Sequence, residues 1–416
     1  MTSQEGGRKL SICMLLPVPR YGDNMRVRPQ IGIGSYLTNF GHQVSWVIWS
    51  DGQQRVKPFL LSDVRVYVTP EIHYVPQSLL LGKVLNKIPN AVKRMRHILS
   101  VFKQGNCDLI FVRNDVFDGV TAAYIKRKHK VPFVFELSSP LDQAWEGYKI
   151  EERRPGFLYF LVAKWVEFVS KRLLREADLV LPTTKWFKEH LAEQGVPEAK
   201  MMPYPNGVDI ESFSHRDDSR VRERYRLGNA KVVVYIGTLG KTRRLTALIQ
   251  TIAAVVRERP HVKLLMVGEG SDEGNLRRLV RDLGITDDVI FTGQVPQHEV
   301  PDFIAASDIG VSPVPPFSFY KLSSPIKMFE YMAMAKPVVA NEEIPEHKEV
   351  LGQSGGGILV PFTPEAFAAA IVKLLDDPDR AAELGRRGRE WVLNNRTYEV
   401  LARQLEKRLL KVIAEN

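Results

Sequence analysis

Short β-branched runs alternate with helix-length segments along this chain, and the alternation restarts near its middle. That feature most narrows the folds open to it. Leu10 to Leu16 reads as a buried strand ending at Pro17. A helix follows from Pro29 to Phe40, closed by Gly41-His42, and Val44 to Trp49 is the next strand. Asp108 to Val112, Phe133 to Glu136 and Asp178 to Leu181 continue the strands, with helices at Gly119 to Lys128 and Leu158 to Arg175. Runs of these lengths in this order imply βαβ units and a parallel sheet. Tyr204-Pro205-Asn206-Gly207 and the polar stretch His215 to Asp218 mark a joint near residues 204–229.

The series then begins again. Strands are expected at Lys231 to Ile236, Val262 to Val267, Val289 to Phe291, Ile309 to Ser312, Val338 to Ala340 and Gly357 to Val360. Helices fall at Leu245 to Glu258 and Gly274 to Leu283, and Tyr398 to Ile413 is an amphipathic helix. The 416 residues suit two domains of about 200 each. The expected class is α/β with two Rossmann-like, doubly wound domains, residues 1–205 and 206–395, and a terminal helix over 396–416. A ligand cleft is expected between the domains, because open parallel sheets bind ligands beyond the carboxyl ends of their strands.

Charge separates the two halves. Residues 1–205 hold 29 basic and 19 acidic residues, whereas residues 206–416 hold 29 of each, so the first half carries the whole net charge of +10. That half is expected to face an anionic lipid surface, a nucleic acid or a phosphorylated acceptor. No nucleic-acid module pattern is present, which disfavours the second. The start, MTSQEGGRKL, shows no apolar signal region, and no run approaches the ~18 apolar residues of a spanning helix. The expectation is a soluble or peripheral protein. Cys13 and Cys107 lack partners at metal-ligand spacing and read as reduced thiols. There is no Asp-x-Asp, no His-x-x-x-His on a helix and no Cys pair, so no metal site is expected.

The segment Ser323-Ser324-Pro325-Ile326-Lys327-Met328-Phe329-Glu330-Tyr331-Met332-Ala333-Met334-Ala335-Lys336-Pro337-Val338-Val339-Ala340 reads as a loop, a Pro at the first helical position, a helix and a buried strand. Such a helix start exposes N–H groups and the positive dipole end, a seat for phosphate. Glu330 lies about one and a half turns in, where a carboxylate can accept both hydroxyls of a ribose. A salt bridge on a solvated helix face is the alternative.

This segment resembles the donor site of the family 4 retaining glycosyltransferases of the GT-B fold, which reads like S-P-x-K-x-x-E-Y-M-A-x-G-K-P-V-V-A. Ala335 stands where Gly is usual. Leu322 stands where the first of the family's two glutamates, the one that contacts the transferred sugar, would fall. Members with the Ser-Pro-x-Lys version often lack that glutamate. Further segments are similar to the family in order and spacing: Pro205-Asn206-Gly207-Val208-Asp209 with Phe213, Val267-Gly268-Glu269-Gly270, Phe291-Thr292-Gly293-Gln294-Val295-Pro296 and Ala305-Ala306-Ser307-Asp308-Ile309. The resemblance implies a nucleotide-diphosphate sugar held by Ser323, Ser324, Pro325, Ile326, Lys327, Glu330, Gly237, Thr238, Gly268, Gly293 and Val295, with no cofactor besides this co-substrate.

A leaving diphosphate gains charge as the glycosidic bond breaks, and fixed cations stabilise it. In the loop Gly237 to Arg244 the family has an Arg directly after the Gly and a Lys about six residues on. Thr238 takes the first place and Arg243 the second, with Lys241 or Arg244 able to compensate. Gly32 and Gly34, in Arg26 to Gly34, match a glycine-rich loop that meets donor phosphate and sugar; plain helix packing is the alternative. Glu136 or Ser139 stands where the family has a His near the acceptor hydroxyl; a capping role is the alternative. Retaining enzymes of this kind can use the leaving phosphate itself as base.

Two helices of the first domain carry apolar stripes beside basic faces. Ile88, Val92, Met95, Leu99 and Phe102 align in one, beside Lys93, Arg96 and Lys103. Leu158, Val162, Trp165, Val169 and Leu173 align in the other, beside Lys164, Lys171 and Arg175. Basic amphipathic helices can lie in an anionic interface; packing each stripe on the sheet is the alternative. The overall expectation is a cytoplasmic, peripheral glycosyltransferase at the inner membrane face, acting on a lipid-linked or other glycan acceptor. Other GT-B enzymes (an epimerase or a hydrolase) and a non-catalytic anionic-ligand binder are the alternatives.

Overall fold

Strands apolar on both faces must be covered on both, which favours a central parallel sheet with helices on either side. The computed structural model describes residues 8–21, 29–50, 56–71, 87–140, 157–214 and 216–416. In the first half β1 (Ser11–Tyr21), α1 (Pro29–Asn39), β2 (Gln43–Ser50), β3 (Phe59–Leu61), β4 (Val64–Pro70), α2 (Lys87–Gly105), β5 (Leu109–Arg113), α3 (Val116–His129), β6 (Phe133–Leu137), α4 (Phe157–Glu176), β7 (Leu179–Pro182) and α5 (Lys185–Glu193) follow in chain order. The strands form one sheet in the order β3-β4-β2-β1-β5-β6-β7. Every pair is parallel except β3 with β4.

β1 does not stop at Pro17 as the sequence suggests, but runs on to Tyr21. Past Leu15 it pairs with β2 alone, and its register slips between Leu15 and Arg20. A proline lacks the N–H for a ladder bond, and such a slip at a one-sided stretch is where a strand tolerates it. α3 begins three residues earlier than expected because Asp115 caps it, accepting the Asp118 N–H at 2.8 Å.

The second half contains α6 (Ser219–Arg224), β8 (Lys231–Ile236), α7 (Thr246–Glu258), β9 (Val262–Val267), α8 (Glu273–Asp282), β10 (Val289–Gly293), α9 (Val300–Ala305), β11 (Ile309–Ser312), α10 (Ser318–Lys321), α11 (Ile326–Ala333), β12 (Val338–Asn341), α12 (Pro345–Ser354), β13 (Gly357–Val360), α13 (Pro364–Asp376) and α14 (Pro378–Asn395). Its sheet is parallel throughout, in the order β10-β9-β8-β11-β12-β13. Alternate residues of β8 feed its two cores: Val233 and Tyr235 pack with α7 and α13, Val232 and Val234 with α9 and α11.

The described residues up to Tyr204, together with Leu401–Asn416, form one compact unit, and Pro205–Val400 forms the other. The last helix, α15 (Tyr398–Glu415), therefore leaves the second unit and completes the first. Within that first unit Glu406 meets His42 at 2.9 Å, and Arg408 donates to the Ala199 carbonyl at 2.9 Å. At the joint, the Val208 N–H donates to the Arg396 carbonyl at 2.9 Å and the Tyr398 N–H to the Val208 carbonyl at 3.2 Å. No described helix is long and apolar enough to cross a membrane.

Candidate functional site

In the second sheet β8 leads through α7 to β9 on one side, and β11 leads through α10 and α11 to β12 on the other. The neighbours β8 and β11 therefore flank the point where strand order reverses, and the loops beyond their carboxyl ends diverge to leave a ligand crevice. Gly237 follows β8 there, Gly268 follows β9 and Gly293 ends β10. Their backbones interlock. The Gly268 N–H donates to the Gly293 carbonyl at 3.0 Å, and a Cβ on Gly268 would sit 2.2 Å from the Gly237 carbonyl oxygen. Gly268, at φ +135, also occupies backbone space that side chains rarely adopt.

α11 starts on the other side of the crevice. Pro325 is its N-cap, at φ −71 and ψ 104, and Ile326 is the first helical residue, one position later than the sequence reading placed the start. The first turn still carries the N–H groups that have no partner inside a helix. From this turn Lys327 reaches across to β8: its Nζ lies 3.1 Å from where a Gly237 Cβ would be, and 4.2 Å from the centre of the Tyr235 ring. Burial, and then the nearby Arg243 guanidinium, hold this ammonium well below the usual lysine range, against the opposing pull of Glu330. A dianionic ligand would restore its charge.

Arg243 stands on a single 3-10 turn, Lys241–Arg243, with its guanidinium 4.9 Å from the Tyr320 ring centre. The Tyr320 hydroxyl donates to the Thr242 hydroxyl at 3.3 Å and so fixes the turn. Among the described residues no carboxylate forms an ion pair with Arg243 or Lys327, and Lys241 is exposed. Arg243 and Lys327 are thus brought together at the mouth of β8, with Glu330 as the carboxylate that acts on Lys327 and no ion pair closed among the described residues.

Glu330 is 8% exposed. Burial pushes its carboxyl up to about 7, opposed by the Lys327 charge and by a hydrogen bond from Gln297. Gln297 opens the short turn after Val295-Pro296, so the loop leaving β10 meets the helix carboxylate directly. Val295 is half-buried against the neighbouring core. Sequence reasoning missed Gln297, Tyr235 and Tyr320; the last two are apolar-looking residues whose role depends on a partner far away in the chain.

Other expected residues do different work. The Ser324 hydroxyl accepts the Asn206 N–H at 3.1 Å and donates to Glu346, while Asn206 Nδ2 donates to the Ser324 carbonyl at 2.7 Å. It anchors the turn to the joint and is turned inward. Ser323 donates to the Tyr320 carbonyl at 2.7 Å. Thr238 is exposed, and its carbonyl accepts from the Tyr235 hydroxyl at 3.3 Å.

In the first unit, Gly34 lies against Trp46: a Cβ there would be 2.6 Å from the indole, so its smallness serves helix-on-sheet packing. Gly32 belongs to α1, and the preceding Arg26 to Arg28 lie outside the described residues. Glu136 sits inside β6, buried and ion-paired to Arg113 at 2.9 Å, with burial raising its pKa. It neither caps an element nor stands open. Ser139 follows β6 and is half-buried. Among the described residues no three His, Cys, Asp or Glu side chains cluster as metal ligands.

A doubly wound unit with convergent glycine loops, a Lys–Arg couple and a buried carboxylate beside a helix start defines a binder of an anionic ligand at a switch point. The matching family models narrow the class. Residues 32–212 match Glycosyltransferase Family 4, and residues 230–377 match Glycosyl transferases group 1. The chain belongs to the family 4 glycosyltransferases and has the GT-B fold. Among curated relatives it is 31% identical, over 54% of this chain and 60% of the relative, to the GDP-mannose-dependent alpha-(1-6)-phosphatidylinositol monomannoside mannosyltransferase of Mycolicibacterium smegmatis. It is 22% identical, over 75% of this chain and 67% of the relative, to the alpha-monoglucosyldiacylglycerol synthase of Streptococcus pneumoniae. The chain thus spans about three fifths of the length of the first of these. In fold it is similar to the sucrose-phosphate synthase of Thermosynechococcus elongatus, with TM-score 0.74 and 20% identity over 98% of this chain and 100% of that one. Anabaena HepE in complex with UDP and glucose follows, with TM-score 0.70 and 19% identity over 96% and 99%.

Proposed function

We propose that this chain transfers a sugar from a nucleotide-diphosphate sugar to an acceptor hydroxyl, with retention at the anomeric carbon. The observation that carries the reading is the Lys327–Arg243 couple, which closes no ion pair among the described residues, with Lys327 against Gly237 and the Glu330 carboxylate next to it. In this reading the α11 start and the couple bind the diphosphate. Glu330, oriented by Gln297, accepts the two ribose hydroxyls, and the backbone of Gly293 to Val295 borders the base. The bond from the anomeric carbon to the phosphate oxygen breaks while the acceptor oxygen bonds to the same face. The acceptor proton passes to the departing phosphate, so no side-chain base is needed. The two cations stabilise the charge developing on the diphosphate, which is why the reading is metal-independent.

The acceptor in this reading is a lipid-linked or polysaccharide-precursor glycan at a membrane surface, bound by the first unit at the cytoplasmic face. The lipid acceptors in the names of both curated relatives support it, as does the basic first half. An epimerase or hydrolase needs further acid–base groups. The histidine in the second core, His347, is fully buried and pushed down to about 4, held by Ser312 and the Asn341 carbonyl, so it does not serve.

A thermal-shift panel of UDP- and GDP-sugars identifies the donor, because a ligand that binds the folded state raises stability by mass action. With that donor, Arg243→Ala is expected to lower turnover by about a hundredfold while leaving donor affinity within a fewfold. Equal turnover in the variant removes Arg243 from the diphosphate.

A further inference from the structure

Exposure and charge converge on one face of the first unit. Ten large hydrophobic side chains are exposed among the described residues, and eight of them lie on α2, α3 and α4. A random scatter needs no explanation; a concentration of this kind marks a docking surface. α3 packs against both α2 and α4, so the three helices present a continuous surface. Phe117 of α3 and Trp165 of α4 have ring centres 6.1 Å apart across it.

On α4 the spacing Leu161, Trp165, Phe168, Arg172 makes one outward stripe, with Trp165 at 48% and Phe168 at 68% exposure. Ser170, Leu173 and Leu174 face inward. The stripe that the sequence reading grouped with Leu173 is therefore split: Leu173 is core, and Trp165 is surface. Arg94 of α2 is 2% exposed and bonds Asp118 twice at 2.6 Å, so it is structural and cannot meet a lipid.

The charge left on this face has one sign. The three helices hold twelve Lys and Arg against three acidic residues. Each acid is engaged: Asp118 by Arg94, Glu167 by Lys164 and Lys171, and Glu176 by Arg127. Arg96 and Lys103 of α2, Lys128 of α3 and Arg172 of α4 remain exposed, Arg172 in line with the aromatic stripe. Aromatic rings settle at headgroup depth, and basic side chains around them meet anionic headgroups.

We propose that the face of α2, α3 and α4 docks this chain onto an anionic phospholipid bilayer, with Trp165 and Phe168 entering the headgroup layer. This deepens the membrane-held acceptor reading and rests on it for purpose, while standing on its own observations. The test is sedimentation of the full chain with vesicles of phosphatidylglycerol and phosphatidylcholine, and with phosphatidylcholine alone. Binding is expected to the first and to be much weaker to the second, and to fall as salt is raised. The double variant Trp165→Ser, Phe168→Ser is expected to lose about tenfold or more in binding and to keep the nucleotide-sugar thermal shift, which shows that it is folded. Unchanged sedimentation of the double variant overturns the proposal. So does a wild-type chain that ignores vesicles and forms a dimer that the double variant abolishes, since a second copy then covers the face. Transfer to a detergent-dispersed glycolipid separates the two readings. Transfer there without vesicle binding sinks the docking face and leaves the acceptor reading standing; vesicle binding with no transfer to any lipid does the reverse.

Discussion

Glu330 places function and stability in opposition. Its carboxyl keeps a proton to about pH 7 in the folded chain, whereas an ordinary glutamate releases it near 4.5. A raised acid contributes its full stability below the lower value and loses it as pH climbs through the upper one. The loss amounts to about 3 kcal/mol between pH 5 and pH 8. Glu330→Gln should therefore be more stable than wild type at pH 8 but not at pH 5, and should bind the nucleotide donor more weakly. Urea unfolding at the two pH values, with and without donor, checks both halves. Ala335 is a second residue-scale case. It sits just past α11 at φ +54, a left-handed conformation that disfavours any Cβ. Ala335→Gly removes that strain and gives back part of the gain as backbone entropy. A net stabilisation of about 0.5–1 kcal/mol is expected by denaturant midpoint, with nucleotide binding unchanged. The family-like motif has Gly at this position, and the left-handed φ supplies the physical reason.

At the scale of elements, the donor turn is held from behind by a chain of polar groups. Glu346, at the start of α12, is 2% exposed and meets Arg396 at 3.4 Å and the Ser324 hydroxyl. Ser324 in turn holds Asn206. Burial raises Glu346 to about 7. Glu346→Gln keeps the shape and the Ser324 contact without a buried charge, so it should be neutral or stabilising at pH 8. Glu346→Ala leaves Arg396 without its acid and frees the turn, at a cost of about 3 kcal/mol. It should also weaken donor binding several-fold. Denaturant midpoints and donor titrations of the two variants separate the charge from the scaffold. None of this network was legible in the sequence, because its members are 118 and 50 residues apart in the two contacts that matter.

At the scale of the molecule, the terminal helix belongs to the unit where the chain began. Leu401, Leu405, Leu409 and Val412 are all at most 1% exposed, and each is worth about 1.5–3 kcal/mol when buried. Their sum rivals the whole stability of a typical domain. Deletion of Leu401–Asn416 should therefore unfold the first unit and leave the second melting nearly as before, with its nucleotide-sugar thermal shift retained. Hydrogen exchange resolved by peptide distinguishes this from a uniform loss across both units.

Periodicity and β-branched composition alone determined the strand and helix series, its restart, and the doubly wound class, because buried parallel strands and their crossover helices leave strong local patterns. β8, β9, β11 and β13 fall where the sequence placed them. β3 and β4 were not read, since Arg65 and the turn at Ser62-Asp63 break the apolar run. Short motifs, through resemblance, located the donor loops but not the duties of their side chains. Only tertiary structure decided that Ser324 faces inward, that Glu136 and Arg94 are ion-paired to Arg113 and Asp118, and that Trp165 and Phe168 face out. Those outcomes depend on which distant group arrives to fill or vacate the space around a side chain, and local sequence carries no record of that.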